Sequence, residues 1–314
     1  MTIDRHPVSL KELIREHLNT AGFQSFEVSY ENIGKLNELP LEEIDAVLLA
    51  PARYFPPTAL ARLTRCKLMQ VWSSGYDKFN VDDAIKLNIP VANNHGSNAI
   101  SVAEHAIFMM LGISRRAPEM HQRVITGAWS GNDHGMSSYS LFGKTLGLVG
   151  LGNIGSLVAA RAEALGMSVL FSDPAVEAPK ARSWKKVDFE KLLGLSDYLS
   201  FHVHSNKSTR DMIGDQQIAL MARKPFLINV SRAELFNKRA ILSALDKGLI
   251  RGIALDAHYQ EPTNTDDSLF SYPNTFFSPH VAGSTLDSYS DTVTACLTNI
   301  KHAISGDKVS GLIR

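Results

Sequence analysis

The stretch TLGLVGLGNIGSLVAARAEALG, Thr145 to Gly166, most constrains what this chain can fold into. An apolar run of strand type enters a glycine-rich turn and leaves as a helical pattern that closes on a glycine suited to a helix C-terminus. A lone GxGxxG is weak evidence. Here it follows a strand candidate and opens a helix, the context that a dinucleotide fingerprint requires. Gly150 makes the tight turn, Gly152 lets the backbone approach a pyrophosphate, and Gly155 lets helix and strand pack closely. The helix start at Asn153 and Ile154 offers free N–H groups and partial positive charge to phosphates. The next apolar run, SVLFSD, ends in Asp173, 18 residues after Gly155. A carboxylate there accepts from a ribose diol and repels a 2′-phosphate, which favours NAD over NADP. Ser172 and Arg182 nearby leave some NADP use open.

The alternation continues through YLSFHV, FLINV and IRGIALDA, with helix-like segments such as NKRAILSALDKG between them. Continuous apolar strands alternating with helices predict a parallel sheet covered on both faces. The first hundred residues carry a smaller series, FEVSY, AVLLA, LMQVWSS and IPVANN, which predicts a second α/β domain. Between the two, SVAEHAIFMMLGISRRAPEMHQRVITGAW reads as one long helical pattern joining the domains. A last helix, Leu286 to Ser305, is expected to pack back on the first domain. The expected fold is α/β, with two doubly wound parallel-sheet domains. Residues 99–284 form the nucleotide-binding one, inserted in a smaller one made of 1–98 and 285–314.

Composition narrows the function. Thirty-two basic residues balance 32 acidic ones, so nothing electrostatic favours nucleic acid or an anionic membrane. The longest strongly apolar run, Ala106 to Ile113, has 8 residues, against the roughly 20 needed to cross a bilayer. The charged N-terminus has no signal-peptide core. Two cysteines, Cys66 and Cys296, make neither a disulfide framework nor a metal-type spacing. The expectation is a soluble cytoplasmic protein with no metal.

Three polar residues stand just past apolar runs. Arg232 follows FLINV, Glu261 follows IRGIALDA, and His280 follows NTFF, spaced 29 and 19 residues apart. In an open parallel sheet, ligands bind outside the carboxyl ends of the strands. Each residue alone reads as a solvated loop side chain. Together, behind a nucleotide loop, they supply what hydride transfer to a carbonyl needs. Arginine holds a carboxylate through its planar fork. Histidine passes a proton at ordinary pH, and a carboxylate beside it favours the imidazolium and fixes its orientation.

Several long motifs, in order, resemble those of the D-isomer-specific 2-hydroxyacid dehydrogenases, a family that includes phosphoglycerate, glyoxylate/hydroxypyruvate and D-lactate dehydrogenases. They are SSGYDKFNVDDAIKLNIPVANN, the SVAEHA helix, GKTLGLVGLGNIG, LINVSRAE, ALDAHYQEP and SPHVAGST, and the match spans essentially the whole chain. The resemblance implies a Rossmann domain inserted in a flavodoxin-like substrate domain, NADH-dependent reduction of a 2-oxo acid to the D-2-hydroxy acid and its reversal, and a homodimer. It implies that Arg232 binds substrate, His280 is the acid/base and Glu261 supports it. The backbone at Ser74 and Gly75 would grip the substrate carboxylate. Asn153 and Ile154 would meet the pyrophosphate and Asp173 the ribose, with Val203, Val230, Ser231, Asp256 and the stretch from His280 to Gly283 lining the remainder.

Departures from the family pattern are Ala233 where a glycine usually follows the arginine, His204 where a proline usually follows the HV of SFHV, and a barely visible opening strand in MTIDRHPVSL. Glyoxylate and hydroxypyruvate are the default substrates. Arg53 meets a second anionic group or is solvated; Tyr54, Phe55, Trp72 and Tyr76 form an aromatic wall or are core. Formate dehydrogenases share an asparagine matched by Asn98, but place glutamine at Glu261 and are much longer. The alternative of another class is an NAD-responsive scaffold of the C-terminal-binding-protein type. Against it, the chain stops at Arg314, directly after its last helix, without the tail such scaffolds carry.

Overall fold

A computed structural model describes residues 9–50, 53–94, 96–129, 131–179, 181 and 183–313. The opening-strand reading of MTIDRHPVSL falls mainly on residues 1–8 and, like Arg182, lies outside the described residues. The chain divides into two compact units, one made of 1–98 with 285–314 and the other of 99–284.

In the smaller unit, strands β1 (Ala46–Leu49), β2 (Leu68–Val71) and β3 (Val91–Ala92) form a parallel sheet in sequence order. β2 is buried along its whole length because both faces are covered. Met69 and Val71 pack with Leu60, Phe55 and Ala84 on one side. Leu68 and Ala92 meet Val293, Cys296 and Ile300 of the helix Leu286–Ser305 on the other, so that helix does return to this unit. Each such buried aliphatic side chain contributes about 1.5–3 kcal/mol. Thr285 and Ser288 cap the helix reciprocally, and Gly306, at φ 83°, ends it.

FEVSY is not a strand. Phe26 is exposed, and a 3-10 segment, Tyr30–Glu38, follows. Its alternation is genuine, but Glu27 is held 2.6 Å from Arg15 on the helix Leu10–Thr20, and no sheet partner is present among the described residues. The aromatic wall is also mostly core. Phe55 and Trp72 are buried and Tyr76 packs against the same cluster as Phe55, leaving Tyr54 exposed.

The larger unit holds a seven-stranded parallel sheet of β4 (Thr145–Val149), β5 (Ser168–Ser172), β6 (Lys185–Lys186), β7 (Tyr198–Phe201), β8 (Phe226–Asn229), β9 (Gly252–Leu255) and β10 (Thr275–Phe277). Its order is β10-β9-β8-β7-β4-β5-β6, so the chain reverses direction across the sheet between β4 and β7. Alternate side chains serve two cores. Phe226 and Ile228 join Leu146, Leu148 and the helices Ala99–Arg115 and Asn153–Ala164, while Leu227 joins Leu199, Phe201 and the helix Lys238–Asp246. β6 has no apolar signal; two exposed lysines are the usual protection of an edge strand.

The long helical pattern breaks at Arg116, which sits at φ 53° between the helices Ala99–Arg115 and Ala117–Ile125. Pro118 has no N–H to return to Ser114, whose carbonyl accepts instead from the Tyr139 N–H at 2.9 Å. The phenol of Tyr198 pairs with the Ser114 hydroxyl at 2.8 Å.

Candidate active site

Because all seven strands are parallel, the residues that follow them share one edge. Gly150 follows β4, Asp173 follows β5, Val203 follows β7, Val230 to Arg232 follow β8, Asp256 to Glu261 follow β9, and Ser278 to Gly283 follow β10. The edge includes the reversal between β4 and β7, where open α/β sheets form a ligand crevice.

The glycine turn fits a dinucleotide. Gly150 adopts φ 92°, and a Cβ there would lie 2.8 Å from the His202 carbonyl oxygen and from Val203 Cγ1. At Gly155 a Cβ would lie 2.3 Å from the Gly150 carbonyl oxygen. At Gly152 it would meet nothing within 4 Å, so the missing side chain leaves open space beside the helix start. The helix Asn153–Ala164 has no side-chain cap at its N-terminus. The N–H groups of Asn153, Ile154 and Gly155 make no hydrogen bond among the described residues and are available to phosphate oxygens.

Asp173 is tied to this turn. One carboxylate oxygen accepts from the Leu151 N–H at 2.7 Å and the other from the Ala175 N–H at 2.8 Å. Each retains a second acceptor position for a hydroxyl. Beneath the turn, His202 bonds the Ser200 hydroxyl through Nε2 at 2.9 Å, while its buried Nδ1 has no partner among the described residues. Burial pushes its pKa down to about 3.

Arg232 is half-buried just past β8. Its guanidinium donates to the Ser231 carbonyl at 2.9 Å, and its own carbonyl accepts from the amide of Asn229, whose Oδ1 in turn accepts from the Ser231 N–H. Asn229 is fully buried and shapes this loop. Ser231 donates from Oγ to the Phe201 carbonyl, and Val230 is buried in the core below. Ala233, also buried, begins a short 3-10 turn, Ala233–Leu235. His204 is exposed, and its carbonyl closes a turn by accepting from the Thr209 hydroxyl.

The ring Nδ1 of His280 lies 2.8 Å from Glu261 Oε1, with both side chains partly exposed. His280 sits at φ 54°, a left-handed conformation that costs a non-glycine residue on the order of 1–3 kcal/mol. Asp256 holds it there. The Asp256 carbonyl accepts the His280 N–H at 2.8 Å. Its carboxylate accepts from the N–H groups of Val281 and Ala282 and from the Ser278 hydroxyl. Asp256, expected to line the cofactor, is wholly buried, with both oxygens bonded to the loop that carries His280. His105 Nε2, 2.8 Å from the Ser278 hydroxyl, completes this cluster. Burial lowers the His105 pKa, opposed by the charge of Asp256. The sequence reading missed Asn229, His105, His202 and His258. Asn229 and His202 carried a signal, as polar residues inside the apolar runs FLINV and YLSFHV.

In the smaller unit, the Ser74 hydroxyl lies 2.7 Å from Asn94 Oδ1 and 3.0 Å from Asn98 Oδ1, and the Ser74 carbonyl accepts from the Asn93 amide. The N–H groups of Ser74 and Gly75 make no hydrogen bond among the described residues. The described residues contain no group of three or more His, Cys, Asp or Glu able to hold a metal ion, and no helix among them is long and apolar enough to cross a membrane.

A glycine turn at a strand reversal, with a histidine–carboxylate pair on the same sheet edge, defines a dinucleotide-dependent oxidoreductase. Residues 107–282 match the model of the D-isomer specific 2-hydroxyacid dehydrogenase NAD binding domain. A glyoxylate reductase of Korarchaeum cryptofilum is 35% identical over 222 residues, covering 69% of this chain and 67% of its own. A glyoxylate reductase of Thermococcus litoralis is 32% identical over 252 residues, covering 78% and 76%. The crystal structure of D-lactate dehydrogenase with NAD+ from Lactobacillus jensenii superposes with a TM-score of 0.79 at 26% identity, covering 98% and 97%. The chain belongs to the D-isomer specific 2-hydroxyacid dehydrogenase family. It is an NAD-dependent oxidoreductase acting on the CH–OH group of 2-hydroxy acids. These matches do not favour the scaffold alternative.

Proposed function

We propose that the chain reduces a small 2-oxo acid to the D-2-hydroxy acid with NADH, and catalyses the reverse, with His280 as acid/base, Glu261 as its support and Arg232 as the substrate-binding cation. The observation that carries this reading is the 2.8 Å contact between His280 and Glu261 on the strand-end edge that also bears the glycine turn. An ionised carboxylate only accepts, so chemistry assigns the Nδ1 proton to the bond with Glu261 and leaves Nε2 to exchange the proton with the substrate oxygen. The bound nicotinamide supplies or takes up the hydride. Arg232 offers a planar fork to the carboxylate. Asn153 and Ile154 serve the pyrophosphate and Asp173 the ribose, which disfavours NADPH; Val203, Val230, Ser231 and Gly283 line the remainder. In the smaller unit, the free N–H groups of Ser74 and Gly75 are suited to a carboxylate. Glyoxylate and hydroxypyruvate are the proposed substrates; the names of two relatives, both glyoxylate reductases, support the first, and the second rests on the family resemblance. A homodimer belongs to the same reading and rests on family resemblance; a cytoplasmic location rests on the sparse cysteine usage.

The test is NADH oxidation, followed by absorbance, across glyoxylate, hydroxypyruvate, pyruvate, phenylpyruvate and 3-phosphohydroxypyruvate, with NADPH in parallel. Turnover with glyoxylate or hydroxypyruvate supports the proposal and names the substrate. Silence across the panel with NADH still bound overturns it.

A further inference from the structure

Glu261 Oε1 accepts from two donors. One is the His280 ring; the other is the backbone N–H of His258 at 3.1 Å. The His258 side chain reaches the opposite loop, where its Nε2 lies 2.9 Å from the carbonyl oxygen of Ser278, two residues before His280. A carbonyl oxygen only accepts, so Nε2 carries the proton. His258 therefore bonds both loops: through its backbone the one bearing Glu261, through its ring the one bearing His280. The ring is itself held edge-on against Phe270 and tilted against Phe277, at centroid distances of 6.4 and 5.8 Å. Ser278 is gripped at both ends, its hydroxyl by Asp256 and His105 and its carbonyl by His258.

We propose that His258 is a positioning residue that clamps the His280–Glu261 pair, by bonding the Ser278 carbonyl with its ring and sharing the Glu261 oxygen through its backbone. The inference rests on the acid/base reading of His280 given above. Its physical basis is the left-handed backbone at His280, which persists only while the surrounding contacts over-determine it. Asp256, in the same segment after β9, holds the Ser278 hydroxyl and the backbone from His280 to Ala282, and His258 adds a grip on the Ser278 carbonyl while also bonding Glu261. The ionisable groups facing this arrangement are Glu261, Asp256 and His105, and His258 in turn acts on Asp267 through its charge.

His258→Phe keeps an aromatic ring against Phe270 and Phe277 and removes the donor. Its expected effect is a kcat lower by about 10-fold, the scale of one lost hydrogen bond at a critical contact, with KM for NADH unchanged. His258→Gln, which returns an N–H near the Nε2 position, is expected to recover most of the rate. A wild-type rate in the phenylalanine variant would overturn the inference. So would equal loss in the glutamine variant, which would reduce the role to ring packing. Should the phenylalanine variant not fold, ring ¹⁵N spectra of the wild-type enzyme decide: His258 as the Nε2–H tautomer with a slowly exchanging proton supports the clamp, and the Nδ1–H tautomer overturns it. His280→Ala, measured alongside, separates the two ideas. If it retains turnover, the acid/base reading itself is wrong; if it is inactive while His258→Phe is normal, only the clamp is lost.

Discussion

His280 Nδ1 and Glu261 Oε1 meet at 2.8 Å from separate loops, one after β10 and the other after β9. The pair is preorganised, since the backbone of each loop is tied to its neighbours before any substrate arrives. His280→Ala is therefore expected to lower kcat by about 10²–10⁴-fold, the range for loss of a general acid/base. Glu261→Gln keeps an acceptor oxygen but loses the charge. It is expected to cost less. Steady-state rates of the two variants check both.

The glycine turn allows a matched pair of variants. A Cβ at Gly155 would press within 2.3 Å of backbone, whereas one at Gly152 meets only open space. Gly155→Ala is expected to lower both the melting temperature and NADH affinity, because backbone must move. Gly152→Ala is expected to melt like the wild type and still bind NADH more weakly, because its methyl occupies the room left for the pyrophosphate. Thermal melts with and without NADH distinguish the two. Equal NADH stabilisation of Gly152→Ala and wild type would refute the placement.

Asp173 joins specificity to structure. Its carboxylate braces Leu151 in the turn and Ala175 beyond β5, in addition to its proposed bond with the ribose. Asp173→Ala is expected to weaken NADH without a compensating gain for NADPH, since the turn that holds either cofactor loosens. Asp173→Asn, which keeps one acceptor oxygen, is expected to bind NADH better than the alanine variant does. Titration of both cofactors by nicotinamide fluorescence reads this out. A clean inversion of preference in Asp173→Ala would mean that the carboxylate acts through charge alone.

How much of this was legible in the sequence follows from where each signal resides. Strands buried on both faces appear as unbroken apolar runs, so β4, β7, β8 and β9 could be read directly, and β5, buried mainly on one face, still shows an apolar centre. β6 could not, because an exposed edge of two lysines needs only backbone pairing. FEVSY misled because alternation reports a two-faced segment, whether or not a sheet lies beside it. Arg232, Glu261 and His280 were found by their place after apolar runs. His258 and Ser278 also follow apolar runs but went unnoticed, and His105 lies within a helix; the roles of all three depend on contacts 20 to 173 residues away along the chain. Asp256 was noticed, but its bonds to the loop that carries His280 are revealed only by the fold.

His202 offers a prediction about stability. Its pKa in the folded chain is pushed down to about 3, against an ordinary value of 6.5. Between those values the unfolded chain binds a proton that the folded chain refuses, so stability rises with pH across the window and is lost on acidification from about pH 6.5. At pH 5 the loss from this one group is on the order of 2 kcal/mol. His105, also lowered by burial, acts in the same direction. The urea midpoint of the wild-type chain is expected to fall markedly between pH 7 and pH 5. His202→Gln, which cannot titrate, is expected to start less stable at pH 7, because the packing around the ring is disturbed, and then to lose less on acidification. Parallel curves for the two proteins would show that His202 takes up its proton without unfolding the chain, and that its buried Nδ1 finds a partner on protonation.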